Sequence, residues 1–247
     1  MDVNCDIGET ALPWATSHEP ELLGLITSAN VACGGHAGDE SSMQAVCTEA
    51  RRLGVAIGAQ VSYPDRANFG RVEMQIDRAS LAHSLSEQLD DLMRVARSVG
   101  ASVTYIKPHG ALYNVVVTND DHARVVVDLA FQHQLSLFGF PASRSESLAK
   151  QVGVRFVPEW FADRSYLANG QLVPRSRPDA LVTSPFDVAA RVRQLVTEST
   201  VASVDGGNVA VECSTICVHS DTTGAADLLR AVREGLVSSG VEIGGWH

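Results

Sequence analysis

Seven short apolar runs rich in β-branched residues recur along the chain, and most are separated by stretches of helical periodicity. The runs cover 1–7, 25–33, 55–61, 102–107, 135–140, 154–158 and 214–218, lengths that suit buried strands. Between about Asp77 and Val99, Leu81, Leu85, Leu89, Leu92, Ala96 and Val99 recur three or four residues apart and form one apolar stripe opposite a charged face. Comparable patterns run from about Asp39 to Leu53, Asn119 to Gln132, Ser143 to Val152, Pro185 to Ser199 and Asp221 to Ser238. Strand and helix in alternation predict parallel βαβ units with right-handed crossovers.

A closed or nearly closed barrel of seven or eight units is the first reading, and a doubly wound open sheet is the second. Both place ligands at the carboxyl ends of the strands. With 247 residues and 45% hydrophobic content, one core and one domain over 1–247 are expected. Two segments break the alternation. Residues 159–184, with Asn169-Gly170 and the Pro174 to Pro178 stretch, read as a long excursion of the kind that borders a site. Asp205-Gly206-Gly207-Asn208, between two apolar runs, reads as the turn of a β-hairpin.

The strand-like runs end in polar clusters. Asp6 and Glu9 follow the first, His36 and Asp39 the second, Lys107-Pro108-His109-Gly110 the fourth, Glu159 and Asp163 the sixth, and His219 and Asp221 the last. In a barrel these clusters converge on one face, which points to an enzyme. Asp39 and Asp221 also suit helix N-caps. His36 and His219, leaving strands into turns, have no packing reason to be there. Pro108 fixes the backbone between two groups able to orient an anion or move a proton. Asp6 and Glu9 suit a general base, a cation ligand, or structural carboxylates bonded to neighbouring N–H groups. His83 and His122 fall on expected solvated helix faces, His133 near a helix end, His18 in a loop and His247 at the terminus.

Composition narrows the partners. A formal net charge of −10 and a pI near 5.2 argue against nucleic acid or an anionic membrane as the ligand. The N-terminus lacks a signal-peptide pattern and no run is long enough to span a bilayer, so a cytoplasmic protein with a small-molecule substrate is expected. Five cysteines without a C-x-x-C pair fit a reducing compartment, with Cys5, Cys33 and Cys217 buried. Only Lys107 and Lys150 are lysines among the 19 basic residues. Asp6, His36, His109 and His219 offer ligand chemistry for zinc or manganese, but no paired H-x-x-x-H or H-E-x-x-H spacing supports it. There is no G-x-S-x-G elbow, phosphate-binding G-x-x-x-x-G-K-[ST] loop or G-x-G-x-x-G fingerprint.

Several segments match a known family in consistent order: Asp2 to Glu9, Ala29 to Asp39, Ser62-Tyr63-Pro64-Asp65 with Phe69-Gly70-Arg71, and Lys107 to Asn114. They continue with Glu159 to Tyr166, Leu172 to Ser176 and Cys217 to Asp221. Across nearly its whole length the chain resembles the LamB/YcsF family. That resemblance implies an α/β fold, a distorted seven-stranded β/α barrel similar to polysaccharide-deacetylase-like barrels. It implies cleavage of 5-oxoproline to L-glutamate with ATP hydrolysis, ATP and its Mg as co-substrate, and B and C subunits as partners.

A lactam is a resonance-stabilised amide, so its opening calls for donors to stabilise phosphate and oxyanion charge and for an acid and a base. Asp6, His36, Lys107, His109, Glu159 and His219 are the expected catalytic groups. Glu9, Asn30, Asp39, Tyr63, Asp163 and Arg164 are the expected substrate-binding groups, with Arg164 joining Lys107 and His109 as a donor. Two alternatives stand beside this reading: a metal-dependent, deacetylase-like hydrolase of a small or carbohydrate substrate using Asp6 and two histidines, and a ligand-binding component without catalysis.

The chain departs from the family pattern at a few positions. Gln60 stands where a strand-end histidine is usual, and glutamine neither titrates near neutrality nor ligates transition metals well, which weakens any metal role that needs this position and leaves the metal unassigned. Gly35 replaces Phe, Val72 replaces a second Arg, and Ser220 and Thr223 replace Gly and Pro.

Overall fold

Asp2, Asn4 and Asp6 alternate with Val3, Cys5 and Ile7 along the first strand, β1 (Asp2–Ile7), and all six side chains are buried. A strand sends alternate residues to opposite faces, so burial on both faces requires cover on both. The computed structural model, which describes residues 1–246, shows what supplies it. Val3, Cys5 and Ile7 join the apolar layer under the helices, while Asp2, Asn4 and Asp6 meet the polar side chains of other strands. His247 lies outside the described residues.

The order after β1 is α1 (Glu19–Leu23), β2 (Ser28–Ala32), α2 (Glu40–Leu53), β3 (Ala56–Val61), α3 (Arg78–Ser98) and β4 (Val103–Pro108). Then come α4 (Gly110–Val115), α5 (Asp120–His133), β5 (Ser136–Gly139), α6 (Arg144–Val152) and β6 (Phe156–Phe161). The chain closes with α7 (Pro185–Glu198), the hairpin β7 (Thr200–Ala202) and β8 (Asn208–Ala210), β9 (Thr215–Val218) and α8 (Ala225–Ser238). Seven strands form a closed barrel in the order β1-β2-β3-β4-β5-β6-β9. Every neighbouring pair is parallel, and β9 closes it between β6 and β1. The distorted seven-stranded β/α barrel is therefore the fold.

Local signals account for the helix boundaries. Asp39 accepts from Ser42 N at 2.8 Å while Ser42 Oγ accepts from Asp39 N at 2.9 Å, a reciprocal cap on α2. Asp77, Asn119, Ser143 and Ser184 cap α3, α5, α6 and α7 one way, each side-chain oxygen accepting a first-turn N–H. The α3 stripe from Leu81 through Ala96 is fully buried. Asp221, by contrast, caps nothing: α8 begins at Ala225 after Gly224, four residues later than its periodicity suggested. The sixth strand runs to Phe161, which puts Glu159 inside the barrel wall rather than beyond it. His122 is also a correction. It is buried, with Nδ1 2.7 Å from the Tyr63 hydroxyl, not on a solvated face.

The barrel interior is layered. At the amino-terminal end Tyr105 and Phe138 stack at 3.9 Å, Val157 packs with them, and Trp246 meets Phe138 edge-on. This aromatic plug leaves no space beneath Tyr105: a Cβ on Gly58 would sit 2.0 Å from Tyr105 Cε2. Above it lies a polar layer, and above that a cavity at the carboxyl ends. The loop 162–184 covers one side, pinned by bridges between Arg164 and Leu181 and between Tyr166 and Leu172. Among the described residues no helix is long and apolar enough to cross a membrane.

Substituting Gly58→Ala should destabilise the protein by about 1–3 kcal/mol through overpacking. Chemical denaturation reads this directly, and unchanged stability would contradict the plug.

Candidate active site

Lys107 sits in the middle of the barrel, 3% exposed in its side chain, with its ammonium at the centre of the polar layer. Nζ lies 2.9 Å from Glu159 Oε1, 3.3 Å from Asp6 Oδ1, 3.1 Å from Asn4 Oδ1 and 3.1 Å from Cys217 Sγ. Burial opposes its charge, yet Asp6, Cys217 and Glu159 together hold its pKa well above the usual lysine value. The same balance acts in reverse on Asp6. Burial opposes ionisation, but Lys107, His219, His109 and the Asn30 amide at 2.9 Å outweigh it and hold the carboxyl far below the ordinary range. Asn30 also donates to Asn4 and accepts from Tyr105, tying the charge layer to the plug.

A second cluster centres on Glu9. Its Oε1 lies 3.0 Å from His36 Nε2, 2.9 Å from Gln60 Nε2 and 3.3 Å from His109 Nδ1, while Ser220 donates to Oε2. The chain reaches this position because Glu19 Oε1 accepts the Gly8, Glu9 and Thr10 N–H groups. His36 and His109 stack at 3.7 Å, 8° from parallel. His109 donates from Nε2 to Phe69 O and accepts from Gln60 at Nδ1. Burial pushes its pKa down to about 4, with Glu9 only partly opposing.

The third cluster is a couple. Asp163, buried, lies 3.0 Å from His219 Nδ1 and accepts from the His219 N–H and from the Thr222 hydroxyl at 2.6 Å. Burial raises the Asp163 pKa, but the His219 charge and these hydrogen bonds outweigh it and leave it lowered. His219 thus presents its other nitrogen toward a cavity of about 430 Å³ that it lines together with Asp6, Lys107, His109, Tyr113 and Phe161.

Of the twelve residues expected at the site, Asp6, Lys107, His109, Arg164 and His219 line the cavity, and Glu159, Asp163, Asn30, Glu9 and His36 stand directly behind them. Two lie elsewhere. Tyr63 is fully buried and its hydroxyl points to His122, because it leaves β3 on the helix side. Asp39 is occupied in capping α2 outside the cavity. Arg164 turns its guanidinium to the Val173 and Ala180 carbonyls, so it braces the loop rather than facing ligand. Asn4, Cys217, Arg71 and Arg175 had gone unassigned. Period-two alternation in Asp2-Val3-Asn4-Cys5-Asp6 was the available signal for Asn4.

Glu9, His36 and His109 bring one ligand atom each within 4.8 Å of one another, a set able to attract a cation. Their arrangement fits hydrogen bonding better. Rings stacked nearly parallel keep their in-plane lone pairs in separate planes, so the two cannot meet at one ion until a ring turns. The Gln60 amide already donates to both Glu9 and His109. Gly35 has no room for the larger residue usual there: a Cβ would fall 2.4 Å from Ser62 Oγ and 2.5 Å from Gln88 Oε1.

The model of the LamB/YcsF family matches residues 1–247. This chain belongs to the LamB/YcsF family. A relative named as the A subunit of 5-oxoprolinase in Streptomyces griseus is 46% identical over 246 residues, covering 98% of each chain. Another of that name in Cutibacterium acnes is 42% identical over 249 residues, covering 98% of this chain and 97% of its own. The crystal structure of a lactam utilization protein from Thermus thermophilus superposes with a TM-score of 0.92 at 36% identity and 99% coverage of both chains.

Replacing Lys107 with Met should destabilise the fold by about 3–5 kcal/mol, since it strands buried carboxylates. Adding Asp6→Asn and Glu159→Gln should restore part of that loss in urea denaturation; no recovery would show that packing, not charge, is at stake. For His109 the folded state favours the neutral ring, so between pH 6.5 and about 4 the unfolded chain binds the extra proton. Stability therefore falls on acidification across this window, by about 3 kcal/mol in total. A His109→Gln variant should show a flatter stability profile there, and parallel profiles would count against the buried neutral ring.

Proposed function

We propose that this chain is the A subunit of an enzyme that opens the lactam 5-oxoproline to L-glutamate with hydrolysis of ATP, working with B and C subunits. The names of its relatives support the substrate class and the existence of partners. The observation that carries the chemistry is the Asp163–His219 couple, aimed into a cavity floored by Asp6 and Lys107.

The groups divide by what their environments permit. An Asp6 carboxyl held so far below the usual range is a weak base but a fixed negative charge. Lys107 has more acceptors around it than donors to give, so it acts by holding Asp6 ionised and by anchoring Glu159. His109 is neutral at physiological pH and both its nitrogens are engaged, which makes it a positioning group. His219 alone among these pairs an oriented ring with an open nitrogen. In ring opening it takes a proton from water as the oxygen attacks the carbonyl carbon. When the C–N bond breaks, it returns that proton to the departing nitrogen. Asp163 fixes the tautomer and offsets the transient positive charge. ATP, with its Mg, would supply the driving force: its γ-phosphoryl group would pass to the amide oxygen with release of ADP, and the acyl phosphate left when the C–N bond breaks would be hydrolysed by a second water to the glutamate carboxylate and inorganic phosphate.

Mixed with its B and C partners, the chain should form glutamate from 5-oxoproline and ATP. His219→Gln should lower kcat by about 10²–10⁴ with little change in KM, and Asp163→Asn should lower it less. Full turnover in the His219→Gln complex would move the chemistry to one of the partners and overturn this reading.

A further inference from the structure

Three arginines line the outer part of the cavity, and the chemistry above uses none of them: Arg71, Arg164 and Arg175. They differ in what their guanidinium groups touch. Arg164 is buried and donates to the Val173 carbonyl at 2.6 Å and the Ala180 carbonyl at 3.3 Å. Arg71 and Arg175, with side chains 41% and 34% exposed, come from different loops and meet at one carboxylate. Arg71 Nη2 donates to Asp221 Oδ2, and Arg175 Nη1 lies 3.5 Å from the same oxygen.

Each of the three loops is fixed independently of this meeting. The Arg71 loop is fastened to the Lys107-Pro108-His109-Gly110 turn: His109 donates to Phe69 O, and Ala111 N donates to Gly70 O at 2.9 Å. The contact is tight enough that a Cβ on Gly110 would fall 2.4 Å from Gly70 O. Arg71 also lies over the Phe69 ring at 4.9 Å. The Arg175 loop is held by Arg164 and by Val173 N donating to Ser165 O at 2.9 Å. Asp221 follows Ser220, whose hydroxyl donates to Glu9 and whose carbonyl is 3.2 Å from His18 Nε2.

Exposed ion pairs contribute about 0–1 kcal/mol, so stability is a thin reason to aim two arginines at one carboxylate. The charge count points to a ligand. The rim carries two half-exposed guanidinium groups, Arg71 and Arg175, against the single carboxylate of Asp221, in a chain of formal net charge −10. Guanidinium forks match the geometry of carboxylate and phosphate oxygens. We infer that Arg71 and Arg175 form a clamp for an oxyanion entering the cavity, and that Asp221 is the placeholder that fills the clamp when no ligand is bound. The anion's source rests on the lactam-opening reading, which offers the carboxylate of 5-oxoproline or the phosphates of ATP; the clamp itself needs no turnover.

Calorimetric titration of the full chain alone tests it, with L-5-oxoproline, its uncharged analogue 2-pyrrolidinone, and inorganic pyrophosphate as probes. The double variant Arg71→Gln/Arg175→Gln should weaken oxyanion binding about tenfold or more and leave 2-pyrrolidinone unaffected. Asp221→Asn should tighten oxyanion binding, the opposite sign to that expected if the three residues only brace the loops. An effect confined to 5-oxoproline assigns the clamp to the substrate carboxylate, and one confined to pyrophosphate assigns it to the nucleotide. Equal oxyanion affinity in wild type and double variant, or no saturable oxyanion binding at millimolar concentration, overturns the clamp. No conversion of 5-oxoproline by the assembled wild-type complex, with these binding effects intact, would defeat the lactam reading and leave the clamp standing.

Discussion

One buried ammonium organises this barrel. Lys107 Nζ touches residues of β1, β6 and β9 from its place on β4, so its charge bridges strands that share no hydrogen-bonded edge with β4. A barrel interior filled with aliphatic side chains closes without such a device. Here Asp2, Asn4, Asp6, Ser28, Asn30, Gln60, Glu159 and Thr215 are all buried, and polar groups out of water demand partners. The network supplies most of them: Asp2 accepts from Ser28 and Thr215, Asn4 donates to Thr215, and Asn30 links Asn4, Asp6 and Tyr105, while Gln60 Oε1 and Glu159 Oε2 are left without a hydrogen-bond donor among the described residues. Lys107 adds the only cation in this layer among the described residues, so its removal leaves the acids uncompensated rather than merely loosening a contact.

That arrangement separates two requirements that conflict in most cavities. A proton-transfer group needs access to substrate, whereas a fixed charge needs protection from water. The barrel meets both by depth. Asp6, Lys107 and Glu159 lie on the floor in a low-dielectric setting where their charges act strongly. His219 sits higher, at the end of β9, where only one nitrogen is held. Below the floor, the stacked Tyr105 and Phe138 rings, with Trp246 edge-on to Phe138, fill the opposite end of the barrel.

Much of this was legible in the residues. Seven strand-like runs became seven barrel strands, and the hairpin at Asp205 to Asn208 formed as its glycines suggested. Most of the polar clusters at strand ends converged, because a parallel barrel sends every strand end the same way. What stayed hidden has physical causes. Tyr63 and Asp39 share clusters with functional residues, but sequence proximity does not say which face of the turn a side chain takes. Arg164 looked like a ligand donor since its charge is plain in sequence, while the backbone carbonyls that absorb that charge are not. Asn4 was missed, and Asn30 was expected to bind substrate rather than to support the charge layer, because apolar runs were read as buried throughout, whereas a polar residue at every second place marks an interior face. Arg71 and Arg175 meet Asp221 only after three distant loops fold together.

Gln60 shows how a single side chain sets the character of the remaining cluster. Its amide nitrogen lies 2.9 Å from both Glu9 Oε1 and His109 Nδ1, so one group satisfies a carboxylate and an imidazole at once. A neutral histidine carries a single N–H, whereas an amide offers two hydrogens from the same atom and never loses them near neutrality. With Gln60 donating, the His109 proton is driven to Nε2, where Phe69 O accepts it and the Arg71 loop is drawn onto the turn after β4. The glutamine therefore reaches beyond its immediate neighbours. It fixes a tautomer, the tautomer fixes a loop, and that loop carries the arginine at the rim of the cavity.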